Sequence, residues 1–403
     1  MKGEADRALK YLVVIGDGMA DFALDELGGK TPLQAARKPH MDRCAREGFC
    51  GQVVTVPPGF PPGSDVAGMS LFGYDPAECY TGRAPIEAYG MGVTMAESDI
   101  AFRCNLVYLD VRDSKVLMGD YCADHITTEE AKILVEDFGA ATGSEEFQFF
   151  PGVSYRHIMR WKNGTSDMAT TPPHDIIDKE VIDYLPKGTG AKEIIRLMSD
   201  SQMFLREHPV NRDRIGRGLL PANSIWLWGQ GKKPHFPTFY EKYKAKGAVV
   251  AAVDLVKGIG ALAGFSTPRV EGATGYMDTD YGAKARCALD LLTRYDIVYV
   301  HVEAPDEASH EGSLEEKIKA IESIDEKVVG YLLERMGEDV RLLVVTDHAT
   351  PLSLRTHFAC PVPFAIFEKG RSFGKGGTFD EKNGGRLFSG EQMITLFLRG
   401  LES

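Results

Sequence analysis

Short, almost uninterrupted apolar runs stand at both ends of the chain and alternate with segments whose apolar residues recur at helical spacing. Tyr11–Gly16, Asp296–Val302, Arg341–Thr346 and Val362–Phe367 read as strands buried on both faces, because a half-exposed strand would alternate polar with apolar. Between the second and third lies SLEEKIKAIESIDEKVVGYLLERMG. It opens with Ser313 and Glu316 at capping-box spacing and carries Leu314, Ile318, Ile321, Val328 and Leu332 along one helical stripe. A strand–helix–strand crossover of this kind implies an α/β fold with a doubly wound, mainly parallel sheet. A last helix is expected over Glu391–Leu401, capped by Ser389 with Gln392.

The middle of the chain has a different rhythm. Strands are predicted at AFRCNLVYLD, YRHIMRW and SIWLWGQG, and helices at TTEEAKILVEDFGA and GTGAKEIIRLMSDSQMFLREH. The expected organisation is a discontinuous domain of 1–97 and 236–403 with a second α/β domain, 98–235, inserted in it. A chain of 403 residues is long enough for two cores. The crevice between two such modules is the natural place for a small-molecule substrate.

Composition narrows the function classes. The chain is 43% hydrophobic and 26% charged with net charge −12, which speaks against non-specific nucleic-acid or membrane-surface binding. Seven cysteines without a CxxC pair argue for free thiols in a reducing compartment, so a cytoplasmic protein is expected. The start, MKGEADRALKYLVVIG, has too short an apolar run for a signal peptide, and AVVAAVDLVKGIGALAG is broken by Asp254 and Lys257.

Acidic and imidazole side chains gather where strands end. Asp306 and His310 stand four apart in HVEAPDEASHEG, Asp347 and His348 are adjacent in LLVVTDHATP, and His357 follows in RTHFACP. Each could be an ordinary cap or loop residue taken alone. Together, with four of ten histidines between His301 and His357, they point to divalent-metal binding, because carboxylates and neutral imidazoles are the ligands of a Lewis-acid cation. Asp17, which follows the run YLVVIG, is a further acidic candidate at a strand's carboxyl end, and two metals would then fit. His301 alternates with apolar neighbours and reads instead as a satisfied strand histidine.

Ser64 follows the loop VPPGFPPG and opens the helical segment DVAGMSLFG. Two readings are open for it: a helix N-cap, or a nucleophile whose alkoxide a metal would stabilise. The glycine-rich SFGKGGTFDEKNGG lacks the Lys-Ser/Thr ending and the preceding strand of a nucleotide-binding P-loop and reads as a surface loop.

These residues together resemble the alkaline phosphatase superfamily. More narrowly, VVIGDGMAD, GKTPLQAARKPHMD, PPGSDVAGMSLFGYDP and GRAPIEAYGMGV resemble the archaeal-type cofactor-independent phosphoglycerate mutases. The resemblance implies one metal on Asp17, Ser64, Asp347 and His348 and another on Asp306, His310 and His357, with manganese favoured and magnesium or cobalt as substitutes. It implies Ser64 as the nucleophile of a ping-pong phosphoryl transfer on a small phosphorylated metabolite. Arginine forks suit a substrate carboxylate and phosphate. The candidates are Arg103, Arg156 with His157, and Asn211, Arg214 and Arg217 in NRDRIGRG, with Lys257 beyond the insert. One segment departs from the family pattern: where those mutases carry Arg-Arg-Ala-Gly-Arg, this chain reads MGDYCADHITTEEA. A similar Asp-Tyr segment occurs in a bacterial subgroup proposed as homoserine kinase, so a phosphotransferase in which Asp120 or Asp124 meets an ammonium group is the alternative, with a metal-dependent phosphohydrolase third.

Overall fold

The computed structural model describes residues 9–142, 144–373, 377–383 and 385–400. The chain folds as two compact units, Met1–Tyr80 with Phe236–Ser403, and Thr81–His235.

Among the described residues of the first unit, seven strands form one sheet. Their order is Gly247–Val250, Ile297–Val302, Lys10–Gly16, Val340–Thr346, Val362–Glu368, Phe49–Val54 and Leu387–Ser389. The first four are parallel, with Val13 beside both Tyr299 and Leu343. Val362–Glu368 runs antiparallel to both of its neighbours, so one strand opposes the rest. Every residue of Ile297–Val302, Val340–Thr346 and Val362–Glu368 is buried, as their unbroken apolar runs require of a sheet covered on both faces. The crossover helix Leu314–Ile324 continues through a wider π turn at Asp325–Gly330 into Tyr331–Arg335. Ile321, Ile324, Val328 and Leu332 pack from it into the core around Leu12, Val300 and Val344. The strands Lys10–Gly16, Ile297–Val302 and Val340–Thr346 all finish at the same sheet edge, where Asp17, Glu303 and Asp347 begin the connecting segments.

The second unit has a sheet whose pairings are all antiparallel. Ile100–Arg112 pairs with Lys115–Asp120, Arg156–Trp161 and Ser224–Lys232, and Phe147–Phe150 pairs with Arg156–Trp161. Helices Thr128–Thr142 and Ala191–Arg206 add Leu134, Phe138, Ile194 and Leu197 to a core that holds Phe102 and Trp226. This unit begins at Thr81 rather than at Ser98. The reason is local: helix Arg83–Gly90 packs Ala84 and Ala88 against Ala101 and Ile158, which ties 81–97 to the second core.

The final helix spans Gly390–Arg399 with Ser389 and Gln392 in a reciprocal capping box; Leu401 lies outside the described residues. So do residues 1–8 of the N-terminal segment and, in the glycine-rich stretch Ser372–Gly385, residues 374–376 and 384. Among the described residues no helix is long and apolar enough to cross a membrane.

Candidate active site

The first strand delivers Asp17 to the sheet edge, held by its N–H on the carbonyl of Val302 at 3.0 Å. Gly18 follows at φ 62°, where a Cβ would stand 2.8 Å from Cα of Asp306 and 2.7 Å from Oγ1 of Thr350, so both conformation and space demand glycine. Its N–H donates to Oδ1 of Asp347 at 3.0 Å, and the N–H of His348 donates to the same oxygen at 2.7 Å. That leaves Oδ2 of Asp347 without a hydrogen-bond partner, and Oδ1 of Asp17 is likewise unpaired and buried. These two oxygens face Nε2 of His348 at 3.3 and 3.4 Å.

The protonation of His348 follows from its other nitrogen. Nδ1 lies 3.1 Å from Oγ1 of Thr350, whose hydroxyl donates to Oδ1 of Asp306 at 2.5 Å. A carboxylate only accepts, so the hydroxyl's one proton is used there and Nδ1 must donate; Nε2 then presents its lone pair. Burial pushes His348 down to about 4, keeping the ring neutral. Burial and the carboxylates of Asp347 and Asp306 hold Asp17 well above the usual carboxylate range. Electron pairs of two carboxylates and an imidazole aimed at one point repel one another unless a cation lies among them. This donor set of oxygen and nitrogen without thiolate fits a divalent metal.

Ser64 is the first residue of helix Ser64–Leu71, and extended Gly63 holds the N-cap position. Its hydroxyl is therefore not spent on capping. Oγ lies 3.0 Å from Nε2 of His348. Asp65 accepts from the N–H of Val66 and from the Tyr80 hydroxyl, at 3.0 and 2.7 Å.

A second group stands beside the first. Asp306 and His310, one turn apart on helix Ala304–Glu311, bring Oδ2 and Nε2 to 3.1 Å, and Nε2 of His357 lies 3.1 Å from that of His310. Nδ1 of His310 donates to the carbonyl of Arg355 at 3.0 Å. Burial opposes a charge on His310, but the hydrogen bond and charge of Asp306 prevail and raise it to about 9. Burial alone would raise Asp306, yet hydrogen bonds from His310 and His357 hold it well below the carboxylate range. Ligand atoms lie within 4.8 Å of one another in each of three groups: Asp306–His310–His357, Asp17–Asp306–His348 and Asp17–His301–Asp347. His301 is satisfied, as expected of a buried strand histidine, but one of its two partners is Asp17.

Two residues outside the sequence reading hold this edge together. Thr350 links His348 to Asp306. Lys317, fully buried, donates to Oδ2 of Asp21 at 2.8 Å and to the carbonyls of Ala20 and Thr350 at 3.3 and 2.9 Å, tying the loops after Asp17 and Asp347 to the crossover helix. A signal for Lys317 was present: it occupies a core position of the apolar stripe Leu314, Ile318, Ile321.

The cationic candidates separate into two kinds. On adjacent strands of the second unit, Arg103, Arg156 and His157 lie close in register. The Arg103 guanidinium sits 4.6 Å over Trp228 and 2.9 Å from Glu87, and burial lowers it to about 10. Nδ1 of His157 accepts the N–H of Gly152, so its proton is on Nε2, which is buried without a partner; burial followed by the charges of Arg103 and Arg156 takes His157 down to about 3. Asn211, Arg214 and Arg217 are committed within the unit. Asn211 bonds Leu205 and Ala222, Arg214 bonds Glu130 and the carbonyls of Ala123 and Leu220, and Arg217 pairs with Glu130 and Asp213. Lys257, in the first unit, lies 3.7 Å from Asp254. The carboxylate of Asp120 accepts from the N–H groups of Cys122 and Asp124 and from the Cys122 thiol, within its own loop.

A mainly parallel α/β sheet that carries aspartates, histidines and one serine on its carboxyl edge defines a doubly wound α/β protein with a candidate divalent-metal site on that edge. The family model described as 2,3-bisphosphoglycerate-independent phosphoglycerate mutase matches residues 45–211. A protein of that name from Methanothrix thermoacetophila is 49% identical, covering 97% of this chain and 100% of the relative. A probable one from Geobacter sulfurreducens is 54% identical over 89% of this chain and 90% of the relative. The solved structure of the PH0037 protein from Pyrococcus horikoshii is similar at TM-score 0.83 and 32% identity, covering 98% of this chain and 99% of its own. The chain belongs to the 2,3-bisphosphoglycerate-independent phosphoglycerate mutase family.

Proposed function

We propose that this enzyme interconverts 3-phosphoglycerate and 2-phosphoglycerate through a phosphoserine at Ser64, without a bisphosphoglycerate cofactor. The observation that carries the reading is the position of Ser64 Oγ, 3.0 Å from the Nε2 lone pair on which the unpaired oxygens of Asp17 and Asp347 converge. The names of the relatives support the same reaction. Asp17, Ser64, Asp347 and His348 would hold one divalent cation and Asp306, His310 and His357 another, manganese by preference with magnesium or cobalt as substitutes. When bound, such cations supply the Lewis acidity that favours the serine alkoxide and neutralises phosphoryl oxygens.

The chain's own part is then explicit. Ser64 Oγ forms a bond to phosphorus as the bond from phosphorus to the glycerate oxygen breaks, and the serine proton passes to that oxygen. The neighbouring glycerate hydroxyl next attacks the phosphoserine, and its proton returns to Ser64. Neither water nor nucleotide is consumed. Arg103, Arg156 and the Nε2–H of His157 are the donors proposed for the substrate's anionic groups, because a buried unpaired N–H beside guanidinium groups suits a carboxylate or phosphate.

The test is phosphorus NMR of the purified protein supplied with manganese and 3-phosphoglycerate. The expected product is 2-phosphoglycerate, and Ser64→Ala should lower the rate by about a thousand-fold or more with an unchanged circular dichroism spectrum. Parallel reactions contain ATP with homoserine. Phosphohomoserine or inorganic phosphate as the main product would overturn the mutase reading, and near-wild-type turnover by the serine variant would remove the phosphoserine from it.

A further inference from the structure

His301 lies on the strand next to the one that ends in Asp17, in register with Ile15, and is buried. Its Nε2 is 3.3 Å from Oδ2 of Asp17 and its Nδ1 is 3.1 Å from Oε1 of Glu303. Glu303 is held ionised and only accepts, so Nδ1 donates to it and Nε2 is the nitrogen that meets Asp17. Glu303 is itself immobilised. Its Oε1 also faces the N–H groups of Ala252 and Val253 at 3.2 and 3.4 Å, and its Oε2 takes the ammonium of Lys284 at 2.7 Å. Lys284 is fully buried and closes a ring by donating to the carbonyl of His301 at 3.0 Å. A buried ion pair is a poor device for stability, because desolvating both charges offsets most of their attraction. As a clamp on the orientation of an imidazole it has a clear use.

We propose that His301, clamped by the Lys284–Glu303 pair, is the positioning residue for Asp17. By engaging Oδ2 it fixes the rotation of the carboxylate and turns Oδ1 toward His348 and Asp347. Hydrogen bonds one step removed from a metal orient its ligands in this way and are worth roughly ten- to a hundred-fold in metal affinity. The inference rests on the reading of Asp17 as a metal ligand.

The experiment measures manganese binding to the full chain without substrate, by calorimetry and by electron paramagnetic resonance. Wild type is compared with Asp17→Asn, His301→Ala, His301→Gln and Glu303→Gln, and thermal melts report folding. His301→Ala should weaken one of two manganese sites about ten- to a hundred-fold and leave the other unchanged. His301→Gln, whose amide can still donate toward Asp17, should recover most of that loss. If Asp17→Asn weakens one site and His301→Ala weakens neither, the positioning role fails while the ligand reading stands. If Asp17→Asn leaves both sites unchanged, the ligand reading fails and the inference with it. Equal weakening of both sites without recovery by glutamine would mark His301 as merely structural. Should His301→Ala not fold, Glu303→Gln, which keeps the shape of the side chain, carries the same expectation of one weakened site; unaltered affinity at both sites overturns the proposal.

Discussion

Two candidate ligand groups share one edge of the first unit's sheet but are built on different supports. Asp17, Asp347 and His348 directly follow the inner strands, are almost wholly buried, and are oriented by backbone N–H groups and Thr350. Asp306, His310 and His357 come from a short helix and a loop, and the His310 and His357 side chains remain 36% and 18% exposed. The deep group crowds carboxylates around a neutral imidazole held down at about 4, whereas the rim group shares a proton between Asp306 and a His310 raised to about 9. Protons and cations therefore compete on unequal terms: a cation at the rim must displace a proton from His310, whereas at the deep group the imidazole is already neutral and only the raised Asp17 holds a competing proton.

The largest expected effect follows from that inequality. With falling pH, His310 gains its proton below about 9 and His348 only near 4, so rim affinity for manganese should drop about tenfold per pH unit, a loss to which the deep imidazole adds nothing. Following free manganese by electron paramagnetic resonance from pH 8 to pH 6, the rim equivalent is expected to leave before the deep one, its release moved to lower pH by added manganese. Simultaneous release of both equivalents would dissolve the distinction. The sign for folding is opposite at the rim. A raised His310 stabilises the cation-free chain fully below its unfolded value near ~6.5, and that contribution is lost as pH rises through about 9.

Thr350→Val sharpens the comparison at the one side chain that bridges the groups. Without the hydroxyl, Nδ1 of His348 and Oδ1 of Asp306 lose a shared partner, so manganese affinity should fall about ten-fold or somewhat more, with the deep group affected most. Thr350→Ser should retain nearly full affinity; equal losses in the two variants would assign the effect to packing. Gly18→Ala should show the smallest effect on metal and a destabilisation of about 1–3 kcal/mol in denaturant unfolding, because the new Cβ meets the backbone of Asp306 at positive φ. A variant as stable as wild type would show that the turn can open.

Much of the framework was legible in the chain. Unbroken apolar runs identify strands covered on both faces, and the residue after such a run stands at a sheet edge whatever its neighbours; hence Asp17 and Asp347 could be picked as candidates. The four-residue spacing of Asp306 and His310 places them on one helical face without further information. The antiparallel strand Val362–Glu368 was legible as a strand but not in direction, because burial on both faces leaves the same apolar signature either way. Residues 81–97 were joined to the wrong unit because a short helix carries little periodicity, and only its packing on Ala101 and Ile158 decides its place.

Residue identity and spacing by themselves determined the α/β class, the helix caps at Ser313 and Ser389, and which side chains are candidates for ligand chemistry. These are local properties of apolar period and side-chain chemistry. Tertiary structure alone decided that Ser64 does not cap its helix, that the lone pair of His348 faces it, and that His301 lies against Asp17. Arg214 likewise became an internal tie of its unit once Glu130 and the distant carbonyl of Ala123 were folded against it. Each of those outcomes depends on partners far away in the chain. A hydrogen bond is set by where its acceptor is, and no spacing along a sequence records that.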